Sequence, residues 1–174
     1  MEQWYAKRKD ILQLEKQSMK DIVGEPVWGK NCGTLPDGRF YWDIYLRVKK
    51  DAKTSNRELF NQVYHFRLVY EPNHPTNQYG TSIHAYPTYP TDLSFLQNKA
   101  NRAGRGSIPH LYTDSKGVPY LCTSDLSTFS TTYGQGHVAS AKTSYLCLKK
   151  WLYTFEAGLI DKYIWEEFKK HNNL

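Results

Sequence analysis

Cys122 has the surroundings of a reactive residue. It ends the stretch Gly117-Val118-Pro119-Tyr120-Leu121-Cys122, is followed by Thr123-Ser124-Asp125, and comes twelve positions after a histidine in Pro109-His110-Leu111-Tyr112. A thiolate is both nucleophile and metal ligand, and irregular segments held by a rigid scaffold are where nucleophiles are displayed. The other two cysteines have plainer settings. Cys147 lies in a helical pattern beside Leu148 and reads as a small, largely buried packing residue. Cys32 precedes a turn, with nothing nearby to activate it. The histidines are His65, His74, His84, His110, His137 and His171, and no pair has the close spacing of a metal site, so no metal is expected. Asn101-Arg102-Ala103-Gly104-Arg105-Gly106 could cradle a phosphate with backbone N–H groups and guanidinium. It matches no phosphate-loop pattern, and a basic loop is the plainer reading.

The elements that must position Cys122 follow from apolar periodicity. Trp4, Ile11 or Leu12, Met19 and Ile22 fall at helical spacing until Gly24 and Pro26 stop them. Residues 27–34 read as a short strand, Pro36-Asp37-Gly38 as a turn, and Phe40, Trp42, Ile44, Leu46 and Val48 as the buried face of a second strand. Residues 49–60 are polar and read as a loop or helical turn. Residues 63–70 form a third strand, broken by Glu71-Pro72-Asn73-His74-Pro75, and residues 81–86 form a fourth. Residues 87–109 have three prolines, two glycines and no sustained period, and residues 110–136 continue as loop or short extended pieces. Val138, Ala141, Tyr145, Leu148, Leu152, Phe155 and Leu159 then step by three and four, the strongest periodic signal in the chain. Gly158 can close that helix, and Asp161 can cap another carrying Ile164, Trp165 and Phe168. The expectation is one α+β domain over residues 1–174, with a four-stranded antiparallel meander between an N-terminal helix and C-terminal helices.

Composition fits that size. The 174 residues are 40% apolar and 23% charged, ordinary for a globular domain. No long apolar run is present, so no membrane span is expected, and residues 1–23 lack the apolar block of a signal peptide. Three cysteines, an odd count, fit a reducing compartment, and a cytoplasmic location is expected. The net charge of +6 is spread over small knots at Lys7-Arg8-Lys9, Lys49-Lys50, Lys149-Lys150 and Lys169-Lys170. Polyanion binding needs charge gathered on one surface, so nucleic acid is not the expected partner. The 14 tyrosines supply apolar area with a polar tip.

The order of helix, meander, long connection, cysteine and C-terminal helices resembles the ubiquitin-conjugating-enzyme family. Val69-Tyr70-Glu71-Pro72-Asn73-His74-Pro75 is a loose counterpart of the Tyr/Phe-Pro-x-x-Tyr-Pro element that follows the family's third strand. Pro109-His110-Leu111-Tyr112, Gly117 and Leu121-Cys122 fall in the order of its His-Pro-Asn tripeptide, glycine and catalytic cysteine. The connection over residues 87–108 is longer than usual, Gly117 stands five positions before the cysteine instead of three, and His110 takes the place of Asn. In these respects the chain resembles the bacterial branch found in cyclic-oligonucleotide antiphage (CBASS) operons, as does Lys150-Trp151-Leu152-Tyr153-Thr154-Phe155-Glu156-Ala157-Gly158.

The resemblance implies a transferase that carries an acyl group as a Cys122 thioester and passes it to an amine, with no cofactor. The donor would be the C-terminal tail of a ubiquitin-like protein or of the operon's cGAS-like nucleotidyltransferase, activated by an adenylating enzyme. His110 would donate to the tetrahedral oxyanion or move a proton. Asp125 could orient or deprotonate the incoming amine, while Tyr112 and Tyr120 wall the site. Cys122 is expected to be solvent-accessible. Three other readings stand beside this one: a silent docking module of the same fold, a Cys-His hydrolase, and a basic nucleic-acid-binding domain.

Overall fold

Alternating apolar residues set the pleat of the sheet, and everything else packs on the face they make. The computed structural model describes residues 2–48, 62–75, 82–123 and 140–170. In chain order the elements are α1 (Trp4–Lys7), α2 (Lys9–Val23), β1 (Cys32–Thr34), β2 (Phe40–Arg47), β3 (Val63–Tyr70), β4 (Ile83–Pro87), α3 (Leu93–Arg102), β5 (Leu111–Thr113), β6 (Pro119–Leu121), α4 (Ala141–Ile160) and α5 (Lys162–Lys170). The fold is α+β, with one antiparallel sheet in the order β1-β2-β3-β4-β6-β5. Cys32, Trp42, Leu68, Ala85, Leu121 and Leu111 form a single row across all six strands. Phe40, Ile44, Phe66, Tyr64, Tyr70 and Ile83 are buried on the same face. Leu148, Trp151, Leu152 and Phe155 of α4 join that core, and Trp165 and Phe168 of α5 pack behind them.

The expected four-stranded meander is thus a six-stranded sheet. The chain returns after β4 through α3 and adds the β5–β6 hairpin beside β4. Residues 93–102 hide a helix because its apolar stripe is short: Leu96 and Ala100 are its buried residues. Its start signal is local, the Asp92 carboxylate accepting the Phe95 N–H at 2.9 Å. The N-terminal helix breaks at Arg8, where φ is −119° and ψ is 68°. The expected strand over 27–34 shrinks to three residues. Asn31 ties residues 27–31 into a turn, accepting from Val27 N at 2.7 Å and donating to Val23 O and Glu25 O at 2.9 Å each.

Two expected helix signals resolve differently. Gly158 does not close α4, which runs on to Ile160. A Cβ at Gly158 would stand 3.0 Å from Trp165 Cε3 and 3.3 Å from Trp165 Cα, so the glycine is there for the close approach of α5. Asp161 does cap α5, its Oδ1 accepting from Tyr163 N at 2.8 Å. Arg105, the second arginine of the candidate phosphate cradle, donates to the carbonyls of Gly158 and Leu159 at 2.7 and 3.1 Å. Its guanidinium serves the last turn of α4. Residues 49–60 and Val138 lie outside the described residues.

Candidate active site

Cys122 follows the last residue of β6 and is held on both sides by the sheet. Its N–H donates to the carbonyl of His110 at 2.9 Å, continuing the β5–β6 pairing of Leu111 with Leu121 by one residue. On the other side Ala85 pairs with Leu121. Continuing that antiparallel register by one residue sets His84 opposite Cys122. Leu121 points into the core, so its neighbours take the opposite face.

That outer face is polar and aromatic. Tyr112 lies close enough to Cys122 for the thiol to act on its hydroxyl. Tyr112 and Tyr120 are register partners with ring centroids 5.9 Å apart. Tyr120 in turn stacks on the His84 imidazole at 3.9 Å and 11°. His84 Nδ1 lies 3.2 Å from Glu71 Oε1 and 3.4 Å from the Tyr86 hydroxyl. The same Glu71 oxygen accepts from Arg39 Nη1 at 2.9 Å. Tyr86 donates to Asp114 at 2.8 Å, which fastens the β5–β6 turn to β4.

Electrostatics follow this geometry. The hydrogen bond from His84, reinforced by the His84 and Arg39 charges, holds the Glu71 carboxyl below the ordinary carboxylate range. The charge of a Cys122 thiolate and the hydrogen bond to it hold the Tyr112 phenol above its ordinary value. Burial, then the charge at Cys122, raises Tyr120 in the same direction.

His110 is the one non-glycine residue with positive φ among the described residues, at 58°. That conformation takes its side chain out of strand alternation. The imidazole lies over Phe168 with centroids 5.0 Å apart, and its Nε2 bonds the Phe168 carbonyl. A carbonyl only accepts, so Nε2 carries the hydrogen, and in the neutral ring Nδ1 is the acceptor.

The order of exposure expected for the cysteines is reversed. Cys122 is 8% exposed, and Cys147 is the half-buried one. The stripe of α4 that meets the core runs through Leu148, Trp151, Leu152 and Phe155, which leaves Cys147 on its flank. Cys122 is buried, while Tyr112 beside it in the site is 49% exposed. Tyr112 and Tyr120 both lie close enough to Cys122 to feel its charge. Asp125 lies outside the described residues. Sequence reasoning missed His84 and Glu71 as neighbours of the cysteine, because β6, whose register brings them together, is only three residues long. Among the described residues no group of three or more His, Cys, Asp or Glu is placed to hold a metal ion, and no helix is long and apolar enough to cross a membrane. No family model, no curated protein and no solved structure matches the chain.

Proposed function

We propose that this chain is a cysteine acyl carrier of the ubiquitin-conjugating-enzyme-like kind, working in bacterial antiphage defence in the cytoplasm. The observation that carries the reading is the setting of Cys122: a thiol at a fixed point of the sheet, a tyrosine hydroxyl close enough to feel its charge, and its amide tied to His110. A nucleophile that must become a leaving group benefits from such a donor, because the hydrogen bond stabilises sulfur when it bears charge.

In the charging step the Cys122 thiolate attacks the activated C-terminal carbonyl of the partner tail. The S–C bond forms and the activating group departs with the electron pair of its bond to that carbon. In the transfer step an amine attacks the thioester, the C–S bond breaks, and an amide and the Cys122 thiolate result while the amine gives up a proton. His110 serves this second step. Its neutral tautomer has Nδ1 free to take the amine proton, whereas an oxyanion-donor role would need the imidazolium. Tyr112 must swing aside to admit the tail, and its half-exposed ring has room to do so. The partner is a ubiquitin-like protein or a cGAS-like nucleotidyltransferase, activated by an adenylating enzyme.

The test is intact mass of the chain co-expressed with its operon partner and activating enzyme. The wild type forms a thioester that thiols cleave. Cys122→Ser traps an oxyester that they do not, because alkoxide is the poorer leaving group, and Cys122→Ala forms neither. A partner adduct that persists in Cys122→Ala overturns the reading. The burial of Cys122 favours one second reading, a catalytically silent docking module, in which Cys122→Ala binds the partner as the wild type does and neither chain ever carries an adduct.

A further inference from the structure

Thiol chemistry begins with the loss of a proton, and the outer face of the sheet holds a group suited to take it. We infer that His84 is the proton acceptor for the Cys122 thiol, with Glu71 as the residue that orients it. The inference rests on the reading of Cys122 as a nucleophile.

Three observations carry it. First, continuing the antiparallel pairing of Ala85 with Leu121 by one residue sets His84 across from Cys122, on the face opposite the buried Leu121. Side chains so paired in an antiparallel sheet have Cβ atoms about 4.5–5.5 Å apart. Second, the imidazole is fixed. It is stacked on Tyr120 at 3.9 Å, and its Nδ1 lies 3.2 Å from Glu71 Oε1. A carboxylate accepts, so Nδ1 carries the hydrogen and Nε2 is left as the basic nitrogen. Nε2 has no hydrogen-bond partner among the described residues. Third, Glu71 is itself held by Arg39 at 2.9 Å, which keeps the carboxylate in place behind the ring. Nucleophile, imidazole and orienting carboxylate are the parts of an activated thiol. His110 is committed differently, its Nε2 bonding the Phe168 carbonyl of α5.

The proton balance is internal. The S–H bond of Cys122 breaks with its electron pair left on sulfur, and an N–H bond forms at His84 Nε2. The resulting imidazolium faces Glu71, and the thiolate accepts from Tyr112. Among the described residues, the other titratable or charged groups around the imidazole are Tyr86 on its own strand, with Asp114 behind it, Tyr120 on β6, and Arg39 behind Glu71. Tyr86 and Tyr120 are both held above the ordinary phenol value, by burial first, so neither titrates in the range where imidazole does.

The experiment is alkylation of Cys122 by iodoacetamide across pH 5–10 on the full chain, read by peptide mass so that Cys32 and Cys147 do not contribute. In the wild type a reactive plateau should extend below pH 7. In His84→Gln the plateau should be lost, with the rate at pH 7 lower on the order of 10-fold. Glu71→Gln should fall between the two. An unchanged profile in His84→Gln overturns the inference. Should His84→Gln fail to fold, the imidazole resonance of His84 followed by NMR in Cys122→Ala provides the second reading. Its titration should move to lower pH when the thiolate is gone, and an unmoved titration overturns the inference equally. Partner adducts measured on the same samples keep the two readings apart. Normal adducts with an unchanged alkylation profile leave the carrier standing without this pair. A shifted profile with no adduct leaves the pair standing and removes the carrier.

Discussion

The amide of Cys122 donates to the carbonyl of His110 at 2.9 Å, so the backbone that carries the thiol is held by the residue whose ring reaches across to α5. Substitutions at His110 therefore separate backbone from ring. His110→Ala keeps the amide bond and loses the imidazole, and it should slow acyl transfer on the order of 10²-fold with the fold intact. His110→Asn suits the positive φ and restores a hydrogen-bonding group. Recovery of rate in Asn shows that hydrogen bonding suffices, and no recovery shows that a proton moves. Single-turnover discharge of the thioester is the measurement. A wild-type rate in His110→Ala removes His110 from the mechanism.

Tyr112→Phe isolates the hydroxyl from the ring. The ring can stay packed on Tyr120 while the sulfur loses its donor. Hydrogen bonds to charged groups contribute about 1.5–3 kcal/mol, so thioester discharge should slow by roughly 10- to 100-fold with unfolding unchanged. A discharge rate equal to the wild type would show that Tyr112 only covers the thiol.

His74 should make the fold acid-sensitive. Its ring is buried between Trp4 and Tyr70, with Nδ1 2.7 Å from the Ser82 hydroxyl. Burial pushes its pKa down from 6.5 to about 4. The unfolded chain binds the proton first as pH falls, so the stability this neutral ring contributes is present above pH 6.5 and is lost between there and about 4. The loss is on the order of 3 kcal/mol. Urea midpoints measured at pH 7 and pH 4.5 should differ in the wild type and differ less in His74→Phe. Equal slopes in the two proteins would assign the acid sensitivity elsewhere.

Lys99 and Glu156 are a buried pair, with Nζ 2.5 Å from Oε1 and Tyr64 as a second partner of the ammonium. Burial pushes Glu156 up to about 8 and Lys99 down to about 8. Lys99→Met should cost about 3 kcal/mol or more at pH 8 by leaving a buried carboxylate alone. The cost should ease toward pH 5, because a carboxyl raised above its unfolded value gives stability that is lost as pH rises. Adding Glu156→Gln to Lys99→Met should remove that pH dependence. A flat profile in the single variant would contradict the burial argument.

Gly158→Ala improves helix propensity yet should destabilise, since the added methyl meets Trp165 at 3.0 Å. The cost expected for such overpacking is about 1–3 kcal/mol, read as a lower melting temperature. A stabilised Gly158→Ala would show that α5 shifts freely on α4.

Long periodic elements were legible in the residues. The alternation of Phe40, Trp42, Ile44 and Leu46, the run 63–70, and the stripe through Leu148, Leu152 and Phe155 each outlast chance and mark β2, β3 and α4. The β5–β6 hairpin was not legible, because three residues per strand cannot display a period and its pairing with β4 is a long-range choice. The same gap hid half of the site. Cys122 and His110 stand out by type and order, and Tyr112 and Tyr120 by proximity to them. His84 and Glu71 are far away in sequence and join only through strand order. Exposure of Cys122 is the expectation for a nucleophile displayed on an irregular segment, and its burial cannot be read from spacing.

The contact of Gly158 with Trp165 has a consequence for how the molecule opens. With no side chain between them, the end of α4 and the middle of α5 are packed backbone to ring, and neither can leave without exposing the other. Amide hydrogens of the two helices should then exchange with solvent together, as one cooperative unit. Because the ring of His110 is fastened to Phe168 of that unit, each such opening also releases the edge of the sheet on which Cys122 is held.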